Sequence, residues 1–203
     1  MVKHKNEVTG ITEILSGVPQ GSVLGPTLYT LYTSDLPQSN TTYTATYADD
    51  TVILSTHNDR NTASRNLQSN LNEIDRWLRK WRIKPNVTKS VQITFTLKRD
   101  SCPQVFLNNA ALPQVTAVKY LGMHLDRRLT WKSHILMKRC QLSLRLRDLL
   151  WLIDKNSKMS LENKILVYKV ILKPVWTYGI QLWSVPGLQT LMLFSIFNQK
   201  SCE

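Results

Sequence analysis

The chain contains little cysteine. Its three residues of this type, Cys102, Cys140 and Cys202, are far apart and form no CxxC pair. An odd number of scattered cysteines argues against a disulfide scaffold and a zinc finger, and is typical of a reducing compartment. The segment from Met1 to Lys5 has no apolar core of a signal peptide, which argues against secretion. We therefore expect an intracellular protein.

Charged residues are missing from one long stretch, residues 174–199, which is long enough in principle to cross a bilayer. The Pro186-Gly187 pair, several glutamines and several hydroxyl residues interrupt its apolar pattern. We therefore expect a buried core segment followed by a tail, and no membrane span.

Acidic residues are scarce. The sequence has 14 Asp and Glu residues and 26 Lys and Arg residues, which give a formal net charge of +12. Such an excess favours polyanionic partners, with nucleic acid as one candidate and a membrane surface or no partner as alternatives. Between Arg127 and Lys173 there are 12 basic residues against three acids. This density favours contact with duplex phosphates, without sequence reading, over a merely solvated surface.

The periodicity predicts mixed strands and helices followed by helices alone. Residues 44–47 and 51–54 read as a hairpin, and residues 91–95, 105–107 and 118–121 as further strands. A helix capped by Ser22 is predicted up to Leu31, and helices are predicted from about residue 131 to 173. The apolar spacing of Leu67, Leu71, Ile74, Leu78 and Trp81 predicts an amphipathic helix. Trp77 follows the same apolar face and is also expected in the core. The sequence therefore predicts an α+β fold with a helical appendage.

The segment Tyr47-Ala48-Asp49-Asp50 carries two adjacent carboxylates at the tip of the predicted hairpin. Two carboxylates repel one another, and this pair is a poor turn former beside Asn-Gly or Asp-Gly. A divalent cation would neutralise them, because Mg²⁺ prefers hard oxygen ligands. A solvated acidic turn is the alternative.

The segment from Gly17 to Pro26 is rich in glycine and proline. Its glycines allow the backbone to approach a flat base pair closely, and the amide of Gln20 suits a bond to a base edge. A plain strand-to-helix connection is the alternative reading of this loop.

Together these two segments resemble the B and C motifs of the reverse transcriptase palm. The likeness continues downstream, where Trp81 to Ser90 is similar to the D motif, Lys119 to Asp126 to the E motif, and Trp131 to Trp183 to the thumb. The amino-acid sequences of residues 23–29 and 125–131 are similar to segments of polymerases of jockey-type non-LTR retrotransposons. The resemblance spans about residues 9 to 183.

The resemblance implies an incomplete palm over residues 1–125, a helical thumb over 126–183 and a divergent tail over 184–203. The fingers and the A motif, which supplies a third carboxylate, have no counterpart in the sequence. We therefore expect an RNA-directed DNA polymerase by descent that acts by a two-metal mechanism, whereas this stretch alone is a truncated and inactive copy. The alternatives are a non-catalytic remnant that holds RNA–DNA duplex and a metal-dependent nuclease.

The same resemblance implies roles for individual residues. Asp49 and Asp50 would be catalytic residues and ligands of Mg²⁺, or of Mn²⁺ as a substitute. Lys89 would lie near the triphosphate, unless it is a plain surface lysine. The nucleotide and template pocket would be formed by Gly17, Pro19, Gln20, Gly21 and Tyr47. The primer grip would be formed by Tyr120, Leu121 and Gly122.

The implied partners are an RNA template, a DNA primer, the RNA–DNA hybrid they form, and deoxynucleoside triphosphates. The implied location is the nucleus or the cytoplasm, as for other retrotransposon proteins. The sequence itself sets no oligomeric state.

Overall fold

The computed structural model describes residues 17–19 and 21–184 with their side chains, and the backbone of residues 3–4, 7–8 and 192–200. The chain falls into two compact units, Met1–Pro37 and Gln38–Glu203. The first unit has two short antiparallel strands, β1 (Lys3–His4) and β2 (Glu7–Val8), and the helix α1 (Leu24–Tyr32). Ser22 lies just before this helix, where its hydroxyl accepts the Leu24 N–H at 3.3 Å. The extended stretch predicted at residues 11–16 lies outside the described residues.

The second unit mixes strands and helices, as the sequence predicts. Its first part contains β3 (Tyr43–Tyr47), β4 (Asp50–Thr56), α2 (Arg60–Lys80), β5 (Lys84–Pro85), a 3₁₀ turn (Val87–Lys89) and β6 (Val91–Phe95). Five short strands follow, namely β7 (Phe106–Leu107), β8 (Ala110–Ala111), β9 (Gln114–Val115), β10 (Ala117–Tyr120) and β11 (Met123–Asp126), and the last two form a hairpin. The remainder contains α3 (Lys132–Ile153), α4 (Leu161–Val167), a π-helix (Tyr168–Leu172), α5 (Lys173–Thr177), α6 (Ile180–Trp183) and β12 (Met192–Lys200).

The main sheet has the strand order β3-β4-β12-β6-β9, so the last strand of the chain lies in its middle. β12 is antiparallel to both neighbours, with seven register pairs to β4 and five to β6. Ile196, for example, is paired with Val52 on one side and with Val91 on the other. Consequently β4 and β6 run in the same direction, with α2 between them along the chain, and β12 fills the gap that this split βαβ unit leaves. The sequence pattern predicts a tail and no strand in this segment.

The helix α2 begins at a cap and buries one face. The carboxylate of Asp59 accepts hydrogen bonds from the backbone N–H and the hydroxyl of Thr62, both at 2.8 Å, and these bonds lower the pKa of Asp59. The predicted apolar stripe is confirmed, since Leu67, Leu71, Ile74, Trp77 and Leu78 are all buried. Trp81, the last member of the stripe, is half-buried at the C-terminal end of the helix.

The strand β6 is covered on both faces. Its sequence alternates apolar and polar residues, which predicts one solvated face. In the structure Gln92 is fully buried and Thr94 nearly so. The Gln92 amide donates to the Pro103 carbonyl and accepts the Val105 N–H, both at 3.0 Å. These bonds satisfy the polar group and fasten the following loop to the sheet.

The helices after residue 131 lie where the sequence predicts them, but most of their apolar residues are exposed. In α3 only His134 is buried, whereas Ile135, Leu146 and Leu150 are exposed. In the described part of the chain, no helix combines the length and the apolar character that crossing a bilayer requires.

Candidate functional site

The two predicted metal ligands lie at the turn of the β3–β4 hairpin. Ala48 and Asp49 form the two-residue turn, and Tyr47 and Asp50 are paired across it. Asp50 is therefore the first residue of β4 and is half-buried, whereas Asp49 is exposed in the turn. The hairpin predicted from the sequence is confirmed, with its turn one residue shorter than expected.

The backbone at this turn is strained. Ala48 has φ 50, in the left-handed region that costs a non-glycine residue roughly 1–2 kcal/mol. A second strained residue, Leu121 with φ 44, lies in the turn of the β10–β11 hairpin and is followed by Gly122 with φ 75. Strain of this kind persists where the surroundings hold it, and it is often found at functional sites.

The turn of the β10–β11 hairpin is held by the helical region. The Tyr178 hydroxyl donates to the Leu121 carbonyl at 2.7 Å, and its ring lies 3.5 Å from the position of a Cβ on Gly122. On the other side, the ammonium group of Lys138 lies 5.3 Å from the centre of the Tyr178 ring. The helices therefore fix the position of the predicted primer grip.

The two hairpin tips lie within electrostatic reach of one another. Burial raises the pKa of the Tyr120 phenol, and the negative charge of Asp50 raises it further. Tyr120 is the last residue of β10, directly before the Leu121-Gly122 turn. The fold therefore places Asp50 within electrostatic reach of Tyr120, although 70 residues separate them in the sequence.

Of the other predicted site residues, Lys89 lies on a separate element of the second unit, and the residues of the predicted template loop lie in the first unit. Lys89 is exposed at the end of the 3₁₀ turn. Gly17 and Gly21 have φ values of 79 and 87, so the loop there depends on glycine. Pro19 accepts the Ser22 N–H at 3.0 Å, which closes a turn at the start of the segment that leads to α1. Gln20 lies outside the described residues.

The carboxylate oxygens of the acidic pair, Asp49 and Asp50, are suitable ligands for a magnesium ion. Mg²⁺ is commonly held by one or two carboxylates together with waters and substrate phosphates. Asp49 and Asp50 offer two such carboxylates with access to solvent. Among the described residues no group of three or more His, Cys, Asp or Glu side chains is suited to holding a metal ion.

One buried titratable group, His134, joins α3 to β11. It is fully buried, and its Nδ1 atom accepts the His124 N–H at 3.2 Å. Its ring lies about 6 Å from the rings of Trp131 and Trp183, and the buried Nε2 atom has no hydrogen-bond partner. Burial lowers the pKa of His134, and the charges of Lys138 and His124 lower it further.

We expect acid to loosen this joint. Because the folded pKa of His134 is below that of the unfolded chain, its contribution to stability is complete above about pH 6.5 and is lost as the pH falls towards the folded value. Protonation of Nδ1 also removes the acceptor of the His124 N–H. The His134→Gln variant, which does not titrate, should show a smaller fall in the free energy of unfolding between about pH 7.5 and 5.5.

Urea titrations at both pH values measure this difference. His57→Gln is the comparison variant, because it removes an exposed histidine that lies outside this joint. An equal loss of stability with acid in wild type and His134→Gln would contradict the expectation.

No local sequence pattern marks Tyr178, Lys138 or His134 as functional residues. Tyr178 lies in the segment that resembles the thumb, but its bond to Leu121 joins positions 57 residues apart. Such a contact leaves no trace in local periodicity. The one sequence feature that could have drawn attention to Tyr178 is the glycine that follows it. Gly179 adopts φ 67, and a Cβ at this position would lie 3.0 Å from the Met123 sulfur.

Comparison with known proteins agrees with the motifs. Residues 2–125 match the family model described as reverse transcriptase (RNA-dependent DNA polymerase). The chain is 39% identical over 189 residues to a probable RNA-directed DNA polymerase from transposon X-element of Drosophila melanogaster, covering 91% of this chain and 21% of that protein. It is 37% identical over 202 residues to the RNA-directed DNA polymerase from mobile element jockey of the same species, covering 95% and 22%.

The chain thus spans about a fifth of the length of these relatives. No solved structure gives a significant match. The family model covers more than half of the chain, and the relatives exceed 30% identity over nearly all of it. The chain therefore belongs to the reverse transcriptase (RNA-dependent DNA polymerase) family.

Proposed function

We propose that this chain supplies the palm and thumb of an RNA-directed DNA polymerase of a non-LTR retrotransposon. The observation that supports this most directly is that Asp50, at the acidic turn, lies within electrostatic reach of Tyr120, the last residue of β10. A polymerase must hold a metal ion and a primer end at the same point, and these two turns are suited to those two tasks.

In this proposal Asp49 and Asp50 hold Mg²⁺, or Mn²⁺ as a substitute. The bound ions supply activation of the attacking 3′-hydroxyl and stabilisation of the leaving pyrophosphate. The chain's own residues position the substrates. Tyr47 is 65% exposed beside the acids and packs under the primer end, and Leu121-Gly122 bind the primer backbone. Lys89 lies near the triphosphate, and the loop with Gly17, Pro19, Gln20 and Gly21 shapes the templating pocket.

A second candidate is binding of RNA–DNA duplex without catalysis. The observation that favours it for the 203-residue chain on its own is that no third carboxylate in the described residues completes a metal site with Asp49 and Asp50. Between positions 127 and 173 there are 12 basic residues against three acids, and this excess of positive charge favours contact with phosphates.

Primer extension separates these two functions. The assay uses poly-rA with an oligo-dT primer, thymidine triphosphate and Mg²⁺, beside a filter-binding titration across salt. For the chain alone we expect salt-sensitive binding and no measurable extension, because a two-metal reaction needs two bound ions and Asp49 and Asp50 provide only two carboxylates for both. Extension that Asp49→Asn abolishes and Asp148→Asn leaves unchanged would assign full catalysis to this chain. Asp148 is an exposed acid of α3 and serves as the matched control.

Failure of the wild-type chain to bind the primer–template at low salt would contradict both candidates. Binding that is insensitive to salt would contradict the phosphate contacts, because release of counterions makes such binding fall steeply as salt rises.

A further inference from the structure

A cavity at the base of the β10–β11 hairpin has an unbalanced charge. It has a volume of about 370 Å³ and is lined by Lys98, Arg99, Thr116, Asp126, Arg127 and Arg128. Four of these side chains are cations and one is an anion. A neighbouring cavity offers a contrast, since its two cations, Arg60 and Lys98, are matched by Asp59 and Asp100.

The one acid of the basic cavity is already engaged. The Asp126 carboxylate accepts the backbone N–H groups of Arg128, Thr130 and Trp131 and the hydroxyl of Thr130, at 3.1 to 3.3 Å. Its charge therefore stabilises the turn that precedes α3. Asp100, the other acid nearby, pairs with Arg60 at 2.9 Å. Neither carboxylate forms an ion pair with Lys98, Arg99 or Arg128.

The cations are held in place by Arg127. Its Nη2 atom lies 2.8, 2.9 and 2.5 Å from the carbonyl oxygens of Lys98, Arg99 and Asp100, so the guanidinium fastens the loop that carries them. The Arg127 backbone also accepts the Thr96 N–H and donates to the Thr116 carbonyl. The loop is therefore tied to the hairpin, and the cavity exists before any ligand arrives.

Like charges gathered around one open cavity repel each other, and an anion relieves this repulsion. Arginine is suited to phosphate because its planar fork binds two oxygens at once. The cavity lies one four-residue strand away from the hairpin tip, about 13 Å at the usual rise per residue. It is therefore separate from the acidic pair.

We infer that this cavity binds a phosphate of the nucleic-acid backbone, through Lys98, Arg99 and Arg128, and that it is a second anchor for the duplex whose primer end lies at the acidic pair. The inference rests on the proposed nucleic-acid function. Phosphate of the same chemistry is also present in a nucleoside triphosphate, and the experiment includes an arm that distinguishes the two sources.

The test compares two double variants of the full chain. Arg99→Ala/Arg128→Ala removes two cations from the cavity. Arg65→Ala/Arg76→Ala removes two exposed arginines from α2, with the same loss of net charge. The probe is a fluorescent RNA–DNA hybrid of 16 base pairs, and anisotropy gives its affinity between about 50 and 200 mM KCl.

We expect the cavity variant to bind the hybrid about tenfold more weakly and to lower the salt slope by roughly two, since each lost phosphate contact lowers it by about 0.9. The control variant should keep a slope close to that of wild type. Affinity for a fluorescent thymidine triphosphate should be equal in all three proteins. Loss of triphosphate binding instead of hybrid binding would overturn the inference.

If the double variant does not fold, Arg99→Gln alone is measured, because this exposed side chain lies on the loop surface and its slope change should be about one. If the wild-type chain binds the hybrid and the cavity and control variants have the same affinity and salt slope, this inference is overturned. The proposed function is then unaffected. A wild-type chain that does not bind the hybrid at 50 mM KCl overturns both.

Discussion

A chain that ends at Ser184 is expected to lose the cooperative unfolding transition of the sheet. The deletion removes β12 and with it the register partners of β4 on one side and of β6 on the other. Each backbone hydrogen bond contributes a net 0.5–1.5 kcal/mol, and a whole domain is stable by only about 5–15 kcal/mol. Loss of a central strand also exposes two new edges in the middle of the sheet.

Thermal unfolding and hydrogen exchange of the β4 and β6 amides measure this effect. A chain that ends at Lys200 is the control, because it keeps every paired residue of β12. A point variant gives a second approach. Ile196→Pro removes one backbone donor from a position paired with both Val52 and Val91, and proline is rarely tolerated in a central strand. Full protection of β4 and β6 in the truncated chain would show that β12 is not part of the sheet in solution.

Replacing Gln92 by leucine is expected to destabilise the protein by about 3 kcal/mol. The substitution keeps a similar side-chain size but leaves the buried Val105 N–H without its acceptor and removes one of the two donors to the Pro103 carbonyl. A buried donor left without a partner costs about 1–3 kcal/mol, and the lost bond to Pro103 adds to it.

Gln68→Leu is the matched control for this prediction. Like Gln92, Gln68 accepts a backbone N–H and donates to a backbone carbonyl, here both of Phe106, at 2.7 and 3.0 Å. These bonds lie at the surface, where water replaces lost bonds. We expect it to cost less than about 1 kcal/mol. Urea titrations measure the free energy of unfolding of the two variants. An equal decrease in both would show that burial does not make the hydrogen bonds of Gln92 more important than those of Gln68.

Local features of the fold are readable from the sequence because they depend on neighbours along the chain. The stripe from Leu67 to Leu78 predicts α2 and its buried face, and both are confirmed. The β-forming residues around Ala48 predict the hairpin that carries the acids, and the motifs identify the family. These signals are helical or strand periodicity and short motifs, so each needs only a few consecutive residues.

The burial of the polar residues of β6 has a definite cause. Alternation from Val91 to Phe95 is typical of a strand with one solvated face, but the loop with Pro103 and Val105 covers Gln92 and forms two hydrogen bonds with its side chain. Whether a polar strand residue faces water depends on which remote segments cover it. That information is not present in the strand itself.

By itself, the sequence determined the family, the α+β order of elements, the acidic turn and the basic region after residue 126. Only the tertiary structure decided which segment fills the middle of the sheet, that Tyr178 holds the Leu121-Gly122 turn, that Tyr120 lies near Asp50, and that Arg127 gathers two basic segments around one cavity. The physical reason is the same in all four cases. Each contact joins residues that are 28 to about 150 positions apart, and the choice of partner depends on packing of the whole chain rather than on any local pattern.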